Sequence, residues 1–506
     1  MAPMRIGYWI LPALLLVSGC AGLHVPQDEP PAGAEAAACA RFFDGLDTTI
    51  TQADVRDAQA ARIPGFPYLR VNRFLASFAA EPLNDAVFHA WAGRMRALAE
   101  QGWEMEWRNL PEAAQRRFYQ AAVAQGKLHD GDDMLSAVRM CGVLLQYAQL
   151  QHARARERLR DTARVPDEYR TWQRVAGLYP LTALAFAAGI HRWHEETRRT
   201  FAQDLSALPV AGQLVRYAPP ARPALTTQEV AEILQRSARN PLRIPEPDAV
   251  DRERLFAAFA PSFVVDVATE ADRIGTPRWT TSDYPVIDTR QPIVYRQLSH
   301  ARYQDRVLLQ LNYIIWFPAR PRSGALDLLG GHIDGLTWRV TLTPDGRPWV
   351  YDAMHNCGCY HLFFPTARAA MRAQPATLEE TAFAPQHAPQ PTAPGGLTLR
   401  VAHTTHYLQR IMEHPAETAQ TMHYQWDDYD SLRALPARRG ARRSLFRSDG
   451  IVPGTDRLER ILFWPMGIPH PGAMRQWGRH ATAFVGRRHF DDPGLLEKNF
   501  ELEPIR

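Results

Sequence analysis

Two periodicities of apolar residues divide the chain. Over residues 39–215, apolar positions recur at the 3.6-residue spacing of α-helices, as in Val87, Trp91, Met95 and Leu98. From about residue 251 onward, short runs rich in β-branched and aromatic residues are typical of strands instead. The pattern predicts an α+β protein with an N-terminal all-helical domain followed by a C-terminal mixed, β-rich domain over 251–506.

Capping residues and the lengths of apolar segments define the main predicted helices. Asn84 or Asp85 can cap a helix over 83–101, and Asp132 or Asp133 can cap a later one. The segment 178–190 is the most apolar run of the mature chain. It is shorter than the ~20 residues that a membrane span needs, so we expect it to be the central helix of the helical domain.

Three proline-rich segments separate these regions. Residues 20–38 are predicted to be a flexible tether, and 216–250 a connector that contains one short helix starting at a capping box of Thr226 and Glu229. A third segment, at about 374–396, is predicted to be a long loop.

A hairpin is the clearest β element. Residues 336–351 form two strand-like runs around the turn sequence Thr343-Pro344-Asp345-Gly346. A strand over 397–403 followed by a helix, and strands at 460–464 and 481–487, are also predicted.

The N-terminus carries an export signal. A start with one charge, Arg5, is followed by a short apolar run and by Leu16-Val17-Ser18-Gly19-Cys20. This segment resembles the signal peptide and lipobox of bacterial lipoproteins, and the resemblance extends to no characterised family for the mature chain. It implies that residues 1–19 are removed and that Cys20 carries lipid, including palmitate. Ala21 then favours the outer membrane, facing the periplasm.

Composition restricts the classes of function. The chain of 506 residues has a net charge of +4, without a basic stripe or a nucleic-acid motif, so nucleic acid is not an expected partner. The GxSxG, P-loop, HExxH and strand-linked GxGxxG patterns are absent from the sequence. The expected partners are a membrane, through the N-terminal lipid, and an envelope polymer or protein.

Four cysteines remain if Cys20 is lipid-modified: Cys39, Cys141, Cys357 and Cys359. An oxidising compartment permits two disulfides among them, with three alternative pairings. The spacing favours Cys39 with Cys141, which leaves the close pair in the second half.

The densest group of metal donors is His355-Asn356-Cys357-Gly358-Cys359-Tyr360-His361. An extended strand would spread these donors over ~20 Å, whereas a turn at Gly358 would bring the thiols together. Zinc or copper could then bind one or both cysteines with His355 or His361, and a disulfide or a reactive cysteine are the alternatives. His403 and His406 form a second candidate metal pair, expected at a strand-to-helix junction.

A catalytic arrangement is the other interpretation of the same region. Cys357 or Cys359 would be the nucleophile, with one histidine as base and one aspartate orienting it. The candidate bases are His332 and His355, and the candidate orienting groups are Asp334 and Asp352. In the structural alternative, glycines 330, 331 and 335 shape a turn that Asp334 stabilises.

The sequence therefore leaves two candidate functions. The first is a lipid-anchored binding or scaffolding protein with a structural Cys/His unit at 355–361. The second is an envelope hydrolase or transferase that uses a Cys/His or metal centre in the C-terminal domain. The first is favoured because each motif has a structural explanation.

Overall fold

The computed structural model describes residues 33–502, apart from 127, 129–130, 132, 222–223, 374–376, 390–394, 414–417 and 419. Its architecture is α+β, with most helices in the N-terminal half and most strands in the C-terminal half, as predicted. The described residues form twelve α-helices: α1 (Ala34–Gln52), α2 (Arg73–Ala76), α3 (Asp85–Asn109), α4 (Glu112–Ala124), α5 (Met134–Leu150), α6 (Ala153–Thr162), α7 (Thr171–Ala176), α8 (Tyr179–Ala202), α9 (Thr227–Ser237), α10 (Ala249–Ala258), α11 (Arg460–Phe463) and α12 (Leu495–Asn499).

The described residues also form nineteen strands: β1 (Ala61–Ile63), β2 (Phe66–Val71), β3 (Gln213–Ala218), β4 (Ser262–Val267), β5 (Thr276–Arg278), β6 (Val286–Asp288), β7 (Ile293–Tyr303), β8 (Arg306–Arg320), β9 (Gly331–Leu342), β10 (Pro348–His355), β11 (Leu362–Pro365), β12 (Ala369–Met371), β13 (Thr398–Val401), β14 (Leu408–Met412), β15 (Gln420–His423), β16 (Gln425–Asp428), β17 (Leu435–Pro436), β18 (Arg442–Arg443) and β19 (Phe500–Leu502).

The N-terminal helices pack around one core that includes Trp91, Met95 and Leu145. The predicted caps are present: the Asn84 side chain accepts from the amide of Val87 at α3, and Asp133 caps α5. The predicted pairing of Cys39 with Cys141 is also present, as a disulfide between α1 and α5.

Two large sheets dominate the second half, beside the two-stranded sheets β5-β6, β12-β19 and β17-β18. One contains six strands in the order β11-β10-β9-β8-β7-β16, and the other contains five in the order β14-β13-β4-β3-β15. Tyr313 and Val340 of the larger sheet share a core with Phe263 and Leu399 of the smaller one, so the two sheets pack against each other. The predicted hairpin is β9 and β10, which pair antiparallel across the turn at Gly346.

The outer face of the six-stranded sheet is also covered. Trp316 and Met354 on that face pack against Tyr429, Met474 and Trp477 from the C-terminal segment. Strands β8 and β9 are therefore buried on both faces, which explains their nearly continuous apolar character.

The segment 178–190 lies elsewhere than predicted. It begins α8, but Ala183 is the only buried residue in the apolar half of that helix. Leu181 and Leu184 are 67% and 52% exposed. The C-terminal half of α8 joins the core of the two sheets through Phe201, and Trp193 packs against that core. The prediction of a central bundle helix is wrong because the other helices fill their own core without it.

Several predicted boundaries also differ. Helix α1 starts at Ala34, inside the segment predicted to be a tether. The hairpin of β1 and β2 lies within the half predicted to be all helical, and β3 crosses the predicted boundary at 215. Strand β14 follows β13 where a helix was expected, 460–463 is helical, and the described part of 481–487 has no regular strand. Short apolar runs do not distinguish helix from strand by periodicity alone.

Predictions for residues 1–32, including the signal peptide and lipidation of Cys20, lie outside the described residues. Within the described part of the chain, no helix combines the length and the apolar character needed to cross a bilayer.

We predict that the Cys39–Cys141 disulfide stabilises the fold substantially, because it closes a loop with a sequence separation of 102 residues. Replacing both cysteines with alanine should lower the free energy of unfolding by about 2–4 kcal/mol in a denaturant titration. A Cys357→Ser/Cys359→Ser protein is the control. Reductant should destabilise this control but not the Cys39→Ala/Cys141→Ala protein. If the control and the Cys39→Ala/Cys141→Ala protein had the same unfolding free energy without reductant, the prediction would be contradicted.

Candidate functional site

Four buried titratable side chains meet at one end of β9 and β10 in the six-stranded sheet. Asp334 lies on β9, His355 ends β10, His406 lies in the turn between β13 and β14, and Asp272 follows β4. The Asp334 carboxylate is 3.4 Å from Nδ1 of His355 and 2.8 Å from Nδ1 of His406. Nε2 of His406 is 3.6 Å from Asp272. We call the sequence Asp272–His406–Asp334–His355 the His–Asp chain.

The backbone around this chain is strained. Ile333, Tyr360, Thr404 and His406 have φ values of 51°, 59°, 60° and 52°. Residues with a Cβ rarely adopt this left-handed conformation, and such strain concentrates at functional sites. The turn also stacks the His406 ring on Phe317, with centroids 3.9 Å apart.

Electrostatic interactions within the His–Asp chain favour the charged forms of Asp334, Asp272 and His406. Burial acts to raise the pKa of Asp334, but His355 and His406 outweigh it and hold that pKa well below its usual range. Burial likewise opposes ionisation of Asp272, yet the hydrogen bond from His406 and backbone amides lowers its pKa to about 2. For His406, the two carboxylates outweigh burial and raise the pKa. The two carboxylates therefore favour the imidazolium form of His406.

His355 has one nitrogen left for chemistry. Its Nδ1 faces Asp334, while its Nε2 has no hydrogen-bond partner among the described residues although the side chain is buried. His355 lines a cavity of about 200 Å³, the His355 pocket, together with Trp193, Tyr360, Tyr407 and Gln409. A histidine fixed by a carboxylate and open at Nε2 is the arrangement of a general base.

A larger cavity lies next to this pocket. It has a volume of about 550 Å³ and shares Trp193, Tyr360 and Tyr407 with the His355 pocket. We call it the thiol cavity because Cys357 and Cys359 lie in its wall. The opposite wall is largely apolar and includes Phe186, Ile190, Phe463 and Phe484.

The predicted turn at Gly358 brings the two thiols together. Gly358 has a φ of 95°, and a Cβ there would lie 2.3 Å from the carbonyl oxygen of Ala481. The amide of Cys359 donates to Sγ of Cys357 over 3.5 Å. Both thiols are free, so the predicted disulfide between them is not formed. The hydrogen bond with Cys357 and burial raise the pKa of the Cys359 thiol well above its usual value, which disfavours the thiolate.

Two tyrosines separate the His355 pocket from the thiol cavity. The rings of Tyr360 and Tyr407 are 4.5 Å apart, and the Tyr360 ring is 5.0 Å from that of His355. The Arg320 guanidinium lies over the Tyr407 ring and 3.4 Å from its hydroxyl. Burial raises the pKa of both phenols, so both keep the proton and can donate a hydrogen bond.

Glu459 supplies an acid to the thiol cavity. Burial raises its pKa to about 7, against the opposing charges of Arg457 and Arg320. It is close enough to Asp334 for the two carboxyl groups to interact electrostatically. Gly472 makes room for it, because a Cβ there would lie 1.7 Å from a Glu459 carboxyl oxygen. No local motif marks Glu459 in the sequence.

Comparison of the chain with family models, curated proteins and solved structures found no match. The chemistry that the site supports therefore follows from its own groups: a fixed imidazole, a carboxylic acid that titrates near neutrality, two phenols and two thiols.

Asp352 and His361 form a separate pair. Asp352 accepts from Arg339 over 2.5 Å and lies 2.8 Å from Nε2 of His361. The prediction that Asp352 could orient His355 is wrong, because residues three apart on β10 point to opposite faces. His361 also lines the thiol cavity, but burial lowers its pKa to about 4, so its neutral ring is a weak base.

The other predicted histidines contact groups outside the His–Asp chain. His332 Nε2 lies 2.6 Å from the carbonyl oxygen of Pro285, which removes it as the base. His403 Nδ1 lies 2.9 Å from the Thr404 hydroxyl.

The described residues contain no group of three His, Cys, Asp or Glu side chains that could hold a metal ion. Neither predicted zinc or copper site assembles there, because the donors face different partners: His355 and His406 face Asp334, His361 faces Asp352, His403 contacts Thr404, and Cys357 and Cys359 line the thiol cavity.

The His–Asp chain predicts a pH-dependent stability. Because the pKa of His406 is higher in the folded protein, the protonated side chain stabilises the fold at pH values below its unfolded pKa of about 6.5. This stabilisation is lost as the pH rises through the pKa that His406 has in the folded protein. The depressed pKa values of Asp334 and Asp272 contribute stability above about 3.8, which is lost as the pH falls. The contribution should be largest between about pH 4 and 6.5.

His406→Gln tests this prediction. Removing one partner of a buried ion pair should cost about 3–5 kcal/mol of unfolding free energy at pH 5.5, measured with urea. The loss should be smaller at pH 8.5, where part of the wild-type stabilisation has gone. His191→Gln, at an exposed histidine of α8, is the control and should change little. A loss that is the same at both pH values would rule out a charged His406.

Proposed function

We propose that the protein is an envelope hydrolase or transferase whose general base is His355, oriented by Asp334. The observation that carries this proposal is the buried His355 ring, with Nδ1 on Asp334 and an unpaired Nε2 at the wall of the His355 pocket. A buried polar nitrogen left without a partner is costly unless a ligand or water uses it.

The proposed reaction uses His355 as the base and Glu459, in the adjoining thiol cavity, as the acid. His355 Nε2 takes a proton from water, and the resulting hydroxide oxygen bonds to the carbonyl carbon of an ester. The bond from that carbon to the leaving oxygen breaks, and Glu459 gives the leaving oxygen its proton. The products are a carboxylic acid and an alcohol. With a substrate hydroxyl in place of water, the same steps transfer the acyl group.

Glu459 suits the role of acid because its pKa of about 7 leaves a large protonated fraction at neutral pH. Tyr360 and Tyr407 stay protonated and line the pocket, so they can donate hydrogen bonds to the carbonyl oxygen as negative charge develops. The Cys359 thiol is less suited to nucleophilic attack, since its raised pKa disfavours the thiolate.

The cell envelope is the proposed location. Because residues 16–20 resemble a lipobox, we propose a lipid anchor at Cys20 and an outer-membrane position facing the periplasm. The disulfide between Cys39 and Cys141 supports this proposal, since such bonds persist in oxidising compartments.

A non-catalytic binding or scaffolding lipoprotein is the second candidate. The volume of the thiol cavity, about 550 Å³, favours it, because a cavity of that size can hold a ligand without any reaction. In this case the protein would bind or support an envelope polymer or protein partner without catalysing a reaction.

Turnover of acyl esters separates the two candidates. His355→Gln and Asp334→Asn should each reduce kcat/KM by about 100-fold or more, since base catalysis contributes 10²–10⁴-fold. The assay is release of p-nitrophenol from acyl esters, together with mass spectrometry of an envelope lipid extract. His403→Gln, outside the His–Asp chain, should keep wild-type turnover. Ligand binding without turnover in the wild-type protein would establish the binding function instead.

A second prediction concerns pH. If Glu459 is the acid, kcat/KM should decline above about pH 7 as it loses its proton. Glu459→Gln should be slower at every pH and should lack this decline. Glu195→Gln, at an exposed position of α8, is the control. An unchanged alkaline decline in Glu459→Gln would exclude Glu459 as the acid.

A further inference from the structure

The thiol cavity has a polar end next to the His355 pocket. Glu459, Cys359 and Tyr360 line it and are close enough to one another to interact electrostatically. Tyr360 also lines the His355 pocket, so this end of the thiol cavity adjoins the proposed base. A substrate that reaches both the base and the acid therefore has its reacting bond at this end.

An aromatic wall lies one helical turn from the acid. The Phe463 amide donates to the carbonyl oxygen of Glu459 over 2.8 Å, so the two residues are about 5.4 Å apart along the helix axis. The Phe463 ring is 5.0 Å from the Phe186 ring and 4.9 Å from the Phe484 ring. All three rings line the thiol cavity, and we call them the aromatic wall.

The charged side chains near the aromatic wall are engaged within the protein. Glu380 accepts from the amides of Phe484 and Val485 and pairs with Arg488. Arg488 also donates to the hydroxyl and the carbonyl oxygen of Thr482. A polar ligand at the wall would have to compete with these hydrogen bonds, whereas an apolar ligand leaves them intact.

Helix α8 supplies another side of the cavity. Phe186, Gly189, Ile190 and Trp193 line it at three- and four-residue spacing, so they share one face of the helix. Gly189 is exposed at the rim, and a Cβ there would meet no atom within 4 Å apart from the backbone of its own helix. A side chain at position 189 would therefore occupy room in the cavity without displacing its neighbours.

The position of the acid sets the orientation of an ester. In the proposed reaction His355 activates the water, and Glu459 gives a proton to the leaving oxygen. Because Glu459 lies in the thiol cavity, the leaving oxygen and the group bonded to it point into that cavity. The acyl group then lies on the side of the His355 pocket, which is smaller, at about 200 Å³.

We propose that the thiol cavity binds a hydrocarbon chain, and that the substrate is an ester of a short acyl group with an alcohol that carries this chain. The ester rests on the proposed function, whereas binding of the chain rests on the cavity alone. Phe186, Phe463 and Phe484 contact the chain, and the ester lies beside Tyr360. An apolar cavity wall with a few polar groups at one end is the usual form of such a site.

A pair of isomeric esters tests the orientation. Octyl acetate carries its long chain on the alcohol side, and ethyl octanoate carries it on the acyl side. The wild-type protein should hydrolyse octyl acetate with a kcat/KM about tenfold higher or more, because each buried methylene contributes about fourfold to binding. Titration of the released acid at constant pH measures both rates. A higher kcat/KM for ethyl octanoate would overturn the orientation.

Gly189→Leu tests the chain site. The added side chain takes room from the ligand, so kcat/KM should fall about tenfold more for octyl acetate than for ethyl acetate. Gly93→Leu is the matched control, because Gly93 lies inside α3, away from the cavity, and a Cβ there would also meet no atom within 4 Å apart from its own helix backbone. Both variants should unfold at the wild-type temperature or above, since leucine forms helix better than glycine.

Binding of a chain without an ester is measured separately from turnover. N-dodecyl dansylamide should bind the wild-type and Gly93→Leu proteins equally, with a rise in dansyl emission, and should bind Gly189→Leu about tenfold more weakly or worse. N-ethyl dansylamide, which lacks the chain, should bind all three proteins weakly. His355→Gln should bind the dodecyl probe as the wild-type protein does, because His355 lies outside the thiol cavity.

Two binding results would overturn the chain site: equal affinity for the dodecyl and ethyl probes, or equal affinity of Gly189→Leu and Gly93→Leu for the dodecyl probe. Failure of the proposed function gives a different result. Chain-dependent binding without turnover of any ester would refute the hydrolase or transferase and the ester with it, and would establish the thiol cavity as a carrier site for the chain.

Discussion

The burial of the Asp334 carboxylate is the constraint on which the site depends. A carboxylate without water is costly unless charges and hydrogen-bond donors replace its hydration. Here the two imidazoles and the amide of Gly335 take that role. The requirement ties β9 to the end of β10 and to the turn before β14, and the strained backbone of Ile333 and His406 accompanies it.

The rest of the fold holds these segments in register. Strands β9 and β10 are covered on both faces, by the smaller sheet and by the C-terminal segment, so they cannot shift without breaking two cores. Helix α8 crosses from the exterior to the core of the sheets and forms one wall of both cavities. The same helix therefore closes the site and exposes Leu181 and Leu184 on its other side.

Two His–Asp pairs of similar composition differ in what surrounds them. Asp352 is neutralised by Arg339, and the pKa of its partner His361 falls to about 4 through burial. Asp334 is shared by two histidines and leaves His355 with a free nitrogen at a pocket. Sequence patterns placed Asp334 and Asp352 on equal terms, because the choice depends on which face of a strand each side chain takes. No local motif marks Glu459 as an acid, and the capping box of Thr269 and Asp272 does not predict the contact of Asp272 with His406.

The sequence by itself determined the features that depend on residues close together in the chain. These are the order of helical and strand regions, the caps at Asn84 and Asp133, the hairpin turn at Gly346 and the turn at Gly358 between the two thiols. These features depend on backbone geometry and hydrogen bonds within a few residues. Tertiary structure alone decided that His406 contacts Asp334 across 72 positions, and that Leu181 and Leu184 in the apolar half of α8 stay exposed. Such outcomes depend on sheet register and on which surfaces other segments cover, and no local pattern encodes either.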